Sequence, residues 1–121
     1  MKLKNEYHIL AVEDSITQAL RLESILERNG FTVTVKHDGQ SAIDYLSSYT
    51  PEHTPKHTPD MIISDIVMPV LDGYGLCRRI KALPRFKDVP VVLLTSLSDT
   101  EDVFNALTSG ADSFVTKPYN E

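Results

Sequence analysis

With 121 residues, 41% of them hydrophobic, the chain has material for one packed core and is expected to form a single domain over 1–121. Its 12 Lys and Arg face 17 Asp and Glu, giving a formal charge of −5 with no basic run, which excludes a phosphate-backbone patch for nucleic acid. No apolar run approaches the roughly 20 residues of a membrane span, and the first apolar block is too short for a signal-peptide core, so a cytoplasmic domain without membrane contact is expected.

The first apolar block, HILAV at 8–12, predicts a strand and runs directly into Glu13, Asp14 and Ser15. Ile16, Ala19, Leu20, Leu22, Ile25 and Leu26 then share a broad apolar stripe, opened by a capping box of Ser15 and Gln18 and closed by Gly30. This crossover is predicted to be a helix of about four turns. FTVTV at 31–35 alternates as a half-exposed strand does, and helical spacing returns over 39–48 with Ala42, Ile43 and Leu46.

Three Thr-Pro pairs in SSYTPEHTPKHTPD, 47–60, deny a helix and predict an extended, solvated loop over 49–59. His53 and His57 would share a face only on a helix, so they are not read as metal ligands; His8 and His37 carry no motif. MIIS at 61–64 predicts the third strand and is followed by Asp65, and Leu76, Ile80 and Leu83 mark a helix over 73–83. The single Cys77 on this helix cannot form an internal disulfide and reads as a packed thiol. VVLLT at 91–95 ends on Thr95, a further helix is predicted over 99–109 from Val103, Phe104, Ala106 and Leu107, and SFVT at 113–116 precedes Lys117 and Pro118.

Strands alternating with helices predict a parallel sheet with helices packed on it. Unbroken apolar runs belong at the centre of such a sheet, whereas FTVTV and the short SFVT suit its edges. The doubly wound, flavodoxin-like order 2-1-3-4-5 satisfies this, and its switch point lies between strands one and three. Glu13, Asp14 and Asp65 converge there. Crowded carboxylates repel unless a cation sits among them, and a hard divalent ion such as Mg²⁺ held by Asp14 and Asp65 would keep positions open for a phosphoryl group. Thr95 and Lys117 end neighbouring strands with a hydroxyl and an ammonium. Together these groups meet the needs of in-line phosphoryl transfer, with Asp65 as the nucleophile.

EDS at 13–15, DIVMPVLDG at 65–73, TS at 95–96 and TKP at 116–118 resemble the signature set of response-regulator receiver domains, over nearly the whole chain. The resemblance implies that Asp65 is the phosphoacceptor, that Asp14 and the Val67 carbonyl bind Mg²⁺ directly and Glu13 through water, and that Thr95 and Lys117 grip the phosphoryl oxygens. Phe114 matches the switch aromatic that turns inward as the Thr95 hydroxyl moves. A histidine kinase or phosphotransfer protein is the implied phosphodonor, and a catalysed reaction beyond the domain's own phosphorylation and dephosphorylation is not expected. Apolar Val67 and Leu97, at the positions that tune water attack in this family, predict a long-lived aspartyl phosphate.

Two other readings compete. An aspartate-nucleophile hydrolase would carry a second acid two residues after Asp65, where this chain has Val67; a flavodoxin-like flavin carrier would need a Ser/Thr/Gly-rich phosphate loop where it has Glu13-Asp14. Receivers close with a fifth helix after Lys-Pro, and only Tyr119, Asn120 and Glu121 follow here. The expectation is an N-terminal piece of a longer signalling protein such as a hybrid histidine kinase, with a downstream domain in the same polypeptide, whose continuation would supply helix five; without that helix the uncovered sheet face is expected to drive self-association into a homodimer.

Overall fold

The computed structural model describes residues 6–48, 58–95, 104–105 and 108–117. In chain order the elements are β1 (His8–Val12), α1 (Ile16–Arg28), β2 (Thr32–Lys36), α2 (Gly39–Ser47), β3 (Met61–Asp65), α3 (Gly73–Lys81), β4 (Val91–Thr95) and β5 (Ser113–Thr116). All strand pairs are parallel and the sheet order is β2-β1-β3-β4-β5, as the strand texture predicted. Every residue of β1 is buried, every residue of β2 is half-buried and every residue of β5 is exposed, which is the centre-to-edge gradient expected of such a sheet.

Alternation along the strands feeds two cores. Leu10 and Val12 of β1 join Ala42, Ile43 and Leu46 of α2 and Leu76, Cys77 and Ile80 of α3. Ile9 and Ala11 point the other way and pack with Leu22 and Leu26 of α1. Helix α1 therefore covers one face and α2 and α3 the opposite one, as right-handed crossovers require. Truncating a side chain such as Leu46 or Leu76, both essentially inaccessible, would cost about 2–5 kcal/mol.

The structure differs from the sequence reading at the start of β2, on the apolar face of α1 and at the end of α3, which stops at Lys81 rather than at Leu83. Strand β2 begins at Thr32 rather than Phe31, because the Phe31 N–H is still bonded to the Leu26 carbonyl of α1 (3.2 Å) and ladder pairing starts at His8 opposite Thr32. On α1 only part of the apolar stripe meets the sheet: Ala19, Leu22 and Ile25 are buried, whereas Ile16 and Leu20 stay 65% and 61% exposed on a ridge beside the contact. Of the helix predicted over 99–109, residues 104, 105 and 108 are helical, with Phe104 exposed, and 99–103 and 106–107 lie outside the described residues. The Thr-Pro stretch also lies outside them as far as residue 57, with its two histidines. Among the described residues no helix is long and apolar enough to cross a membrane.

The loop after β3 holds Val70 at φ 69°, fully exposed. A β-branched residue in the left-handed region is strained, and nothing packs against this one that glycine would lose. Val70→Gly should stabilise the fold by about 1 kcal/mol, the strain relieved less the entropy cost of glycine, read as a rise of several degrees in Tm. An unchanged or lower Tm would show that the left-handed turn carries no strain.

Candidate functional site

Register brings the acids together. Val12 pairs with Ser64, so the residues that follow, Glu13 and Asp65, leave neighbouring strand ends side by side, with Asp14 one step further on. One oxygen from each of the three lies within 4.8 Å of the others. Thr95 pairs with Thr116 across β4 and β5, which carries Lys117 to the same end of the sheet, where its N–H donates to the Thr95 carbonyl at 2.6 Å. These residues line one open cavity of about 360 Å³ together with Ser15, Gln18, Ile66, Val67 and Leu94.

Asp65 is only 9% exposed. Its Oδ1 accepts the Ile66 N–H at 2.9 Å and sits 3.1 Å from the Lys117 ammonium. Lys117 also reaches Glu13 Oε1 at 3.2 Å and Gln18 Oε1 at 2.8 Å. Glu13 is almost inaccessible, and its Oε2 accepts the Ser15 N–H at 3.3 Å. Burial raises the Glu13 carboxyl above its ordinary range and the Asp65 charge adds to this, with Ser15 and Lys117 opposing. Burial alone would lower the Lys117 ammonium, but the hydrogen bond and charge of Asp65, with Glu13 behind it, hold it above its usual value. Two of the three acids thus share one close cation, leaving net negative charge in a cluster of hard oxygen donors. That donor set fits a divalent ion such as Mg²⁺.

All the predicted acids, Thr95 and Lys117 come together. Thr95 is buried at the cavity wall and Val67 lies at its rim, 66% exposed. Phe114, 36% exposed, precedes Thr116 by two residues on β5 and so lies on the same side of the sheet as Thr95. Leu97 lies outside the described residues.

Two contributors were not apparent from the sequence. Gly73, the first residue of α3, donates its N–H to the Ile66 carbonyl at 2.8 Å and lies so close to β3 that a Cβ would collide with the Asp65 carbonyl oxygen and come within 2.8 Å of Ile66 Cα. In the sequence Gly73 stands only as the last residue of DIVMPVLDG and the start of a helix, neither of which reveals this approach. Gln18, read only as half of a helix cap, is a partner of Lys117.

A family model described as the response regulator receiver domain matches residues 9–121. The receiver domain of a signal transduction histidine kinase from Syntrophus aciditrophicus is 46% identical, with a TM-score of 0.81, over 94% of this chain and 80% of that one. The receiver domain of a sensor histidine kinase from Pseudomonas aeruginosa, solved with a magnesium ion coordinated in its active site cleft, is 31% identical with a TM-score of 0.80, over 94% and 87%. The transcriptional regulatory protein CseB of Streptomyces coelicolor is 36% identical over 118 residues, 98% of this chain. The chain spans less than half the length of such regulators, 46% in that case.

Proposed function

This chain belongs to the response regulator receiver domains, phosphorylatable switches of two-component signalling, and on that premise we propose that Asp65 is its phosphoacceptor. The observation that carries the proposal is the convergence at one strand-end cavity of three carboxylates within 4.8 Å and an ammonium 3.1 Å from Asp65. Asp14, Asp65 and the Val67 carbonyl would hold Mg²⁺ directly, and Glu13 through water. Bound there, the ion would neutralise charge on the carboxylates and on the incoming phosphoryl oxygens.

The donor in this reading is a phosphohistidine of a histidine kinase or phosphotransfer protein. Asp65 Oδ1 is held by Ile66 N–H and Lys117, so Oδ2 is the nucleophile: its bond to phosphorus forms as the phosphorus–nitrogen bond breaks and the imidazole leaves with the electron pair. Lys117 takes one phosphoryl oxygen and the Thr95 hydroxyl another. Phe114, on the Thr95 side of β5, turns inward as the hydroxyl is drawn away and so passes the change to the outer surface. The domain turns over nothing beyond its own phosphoryl group. It works in the cytoplasm as the input part of a longer signalling protein, in keeping with the longer relatives that it matches.

The direct test is incubation with a small phosphodonor such as acetyl phosphate. Labelling should require Mg²⁺ and vanish with chelator, and Mg²⁺ alone should raise Tm, because it relieves the repulsion among Glu13, Asp14 and Asp65. Labelling of equal extent in chelator would overturn the proposal. The hydrolase reading gains nothing from the site, since apolar Val67 stands where its general acid would be.

A further inference from the structure

A complete capping box has two reciprocal bonds: the N-cap side chain takes the N–H of the third helical residue, whose own side chain returns to the N-cap N–H. At the start of α1 only the first is made, with Ser15 Oγ accepting the Gln18 N–H at 3.3 Å. The Ser15 N–H goes instead to Glu13 Oε2, and the Gln18 side chain turns into the cavity, where Oε1 accepts from Lys117 Nζ at 2.8 Å. That is the shortest of the three contacts around the ammonium, the others being 3.1 Å to Asp65 and 3.2 Å to Glu13.

From this diversion we infer that Gln18 is a positioning residue for Lys117, keeping its ammonium over the phosphoacceptor before and after phosphoryl transfer. The inference rests on the assignment of Asp65 and Lys117 made above. An ammonium has three donors, and here they meet three acceptors of two kinds. The pull of Asp65 and Glu13 depends on their charge, which a metal ion would offset and which phosphorylation of Asp65 would shift from its carboxylate onto the phosphoryl oxygens. Gln18 is neutral, keeps its acceptor through both changes and uses a separate donor, so a phosphoryl oxygen can replace Asp65 Oδ1 on Lys117 while the Gln18 bond stays. Its backbone is fixed by the cap on the first turn of α1, so the amide needs little ordering to do this.

The test is a beryllofluoride titration at saturating Mg²⁺, followed by ¹⁹F signal or amide shifts, on wild type, Gln18→Met and Gln18→Glu. Methionine keeps the length and packing but cannot replace the amide oxygen, and the half-saturating concentration should rise about 3- to 10-fold, the scale of one exposed charge-assisted hydrogen bond. In Gln18→Met the concentration of Mg²⁺ alone at half-saturation should change by less than about twofold, because among the described residues Gln18 makes its hydrogen bonds to Ser15 and Lys117 and none to the acids; Gln18→Glu, which keeps an acceptor, should fall nearer wild type than Gln18→Met in the beryllofluoride midpoint. A Gln18→Met protein with the wild-type beryllofluoride midpoint, whatever its Tm, would overturn the inference and leave the Asp65 assignment standing. Uptake by Asp65→Asn as strong as by wild type would overturn that assignment and the inference with it.

Discussion

Asp65→Asn should abolish phosphorylation, by small phosphodonors and by a phosphohistidine alike, while leaving the fold intact. Asparagine is isosteric, so its side-chain oxygen can still accept the Ile66 N–H that Oδ1 accepts at 2.9 Å, and no cavity opens among the neighbours. What disappears is the carboxylate nucleophile, and no rearrangement of the amide replaces it. The ion pair with Lys117 at 3.1 Å is lost, but so is the repulsion that helps to raise the Glu13 carboxyl, and the opposing changes keep the net effect on Tm small. Labelling with radioactive phosphodonor at wild-type level in this variant would remove Asp65 from the reaction.

Gly73→Ala should damage the fold and the phosphorylation site together. The added methyl meets the Asp65 carbonyl and Ile66 Cα, both backbone, so relief requires moving either the end of β3 or the start of α3. Overpacking of this kind costs about 1–3 kcal/mol, and here the displaced backbone carries the proposed phosphoacceptor. The phosphorylation rate at saturating Mg²⁺ should fall on the order of tenfold to a hundredfold, the usual scale for a small misplacement of a reacting group. Denaturant melts and phosphorylation rates measured on the same preparation would show both losses; wild-type values for both would mean that the helix start yields freely.

Much of this was legible in the chain because the governing signals are local. HILAV and VVLLT are short apolar runs that suit central strands, and in a parallel α/β sheet the polar residues that follow such strands collect at one end. Glu13, Asp14, Asp65, Thr95 and Lys117 could be placed from that rule alone. Less visible were features decided by which distant group arrives. Ser15 and Gln18 satisfy the capping pattern, but the pattern does not say that Glu13 and Lys117, the latter 99 residues away from Gln18, will compete for its two free arms. Ile16 and Leu20 belong to the stripe by periodicity, yet the sheet contacts only the side of α1 carrying Ala19, Leu22 and Ile25. The close approach of Gly73 to β3 is a tertiary fact that no local pattern carries.

The central claim is that a phosphoryl group is carried on the carboxylate of Asp65. Borohydride reduces an acyl phosphate, but not a free carboxylate or a phosphoserine or phosphothreonine, to an alcohol. Phosphorylated protein treated with borohydride and digested should therefore yield, by mass spectrometry, a peptide with homoserine at position 65, absent when Mg²⁺ or the phosphodonor is omitted. Reduction at Glu13 or Asp14 instead, or a stable phosphate recovered on Thr95 with position 65 unchanged, would contradict the account.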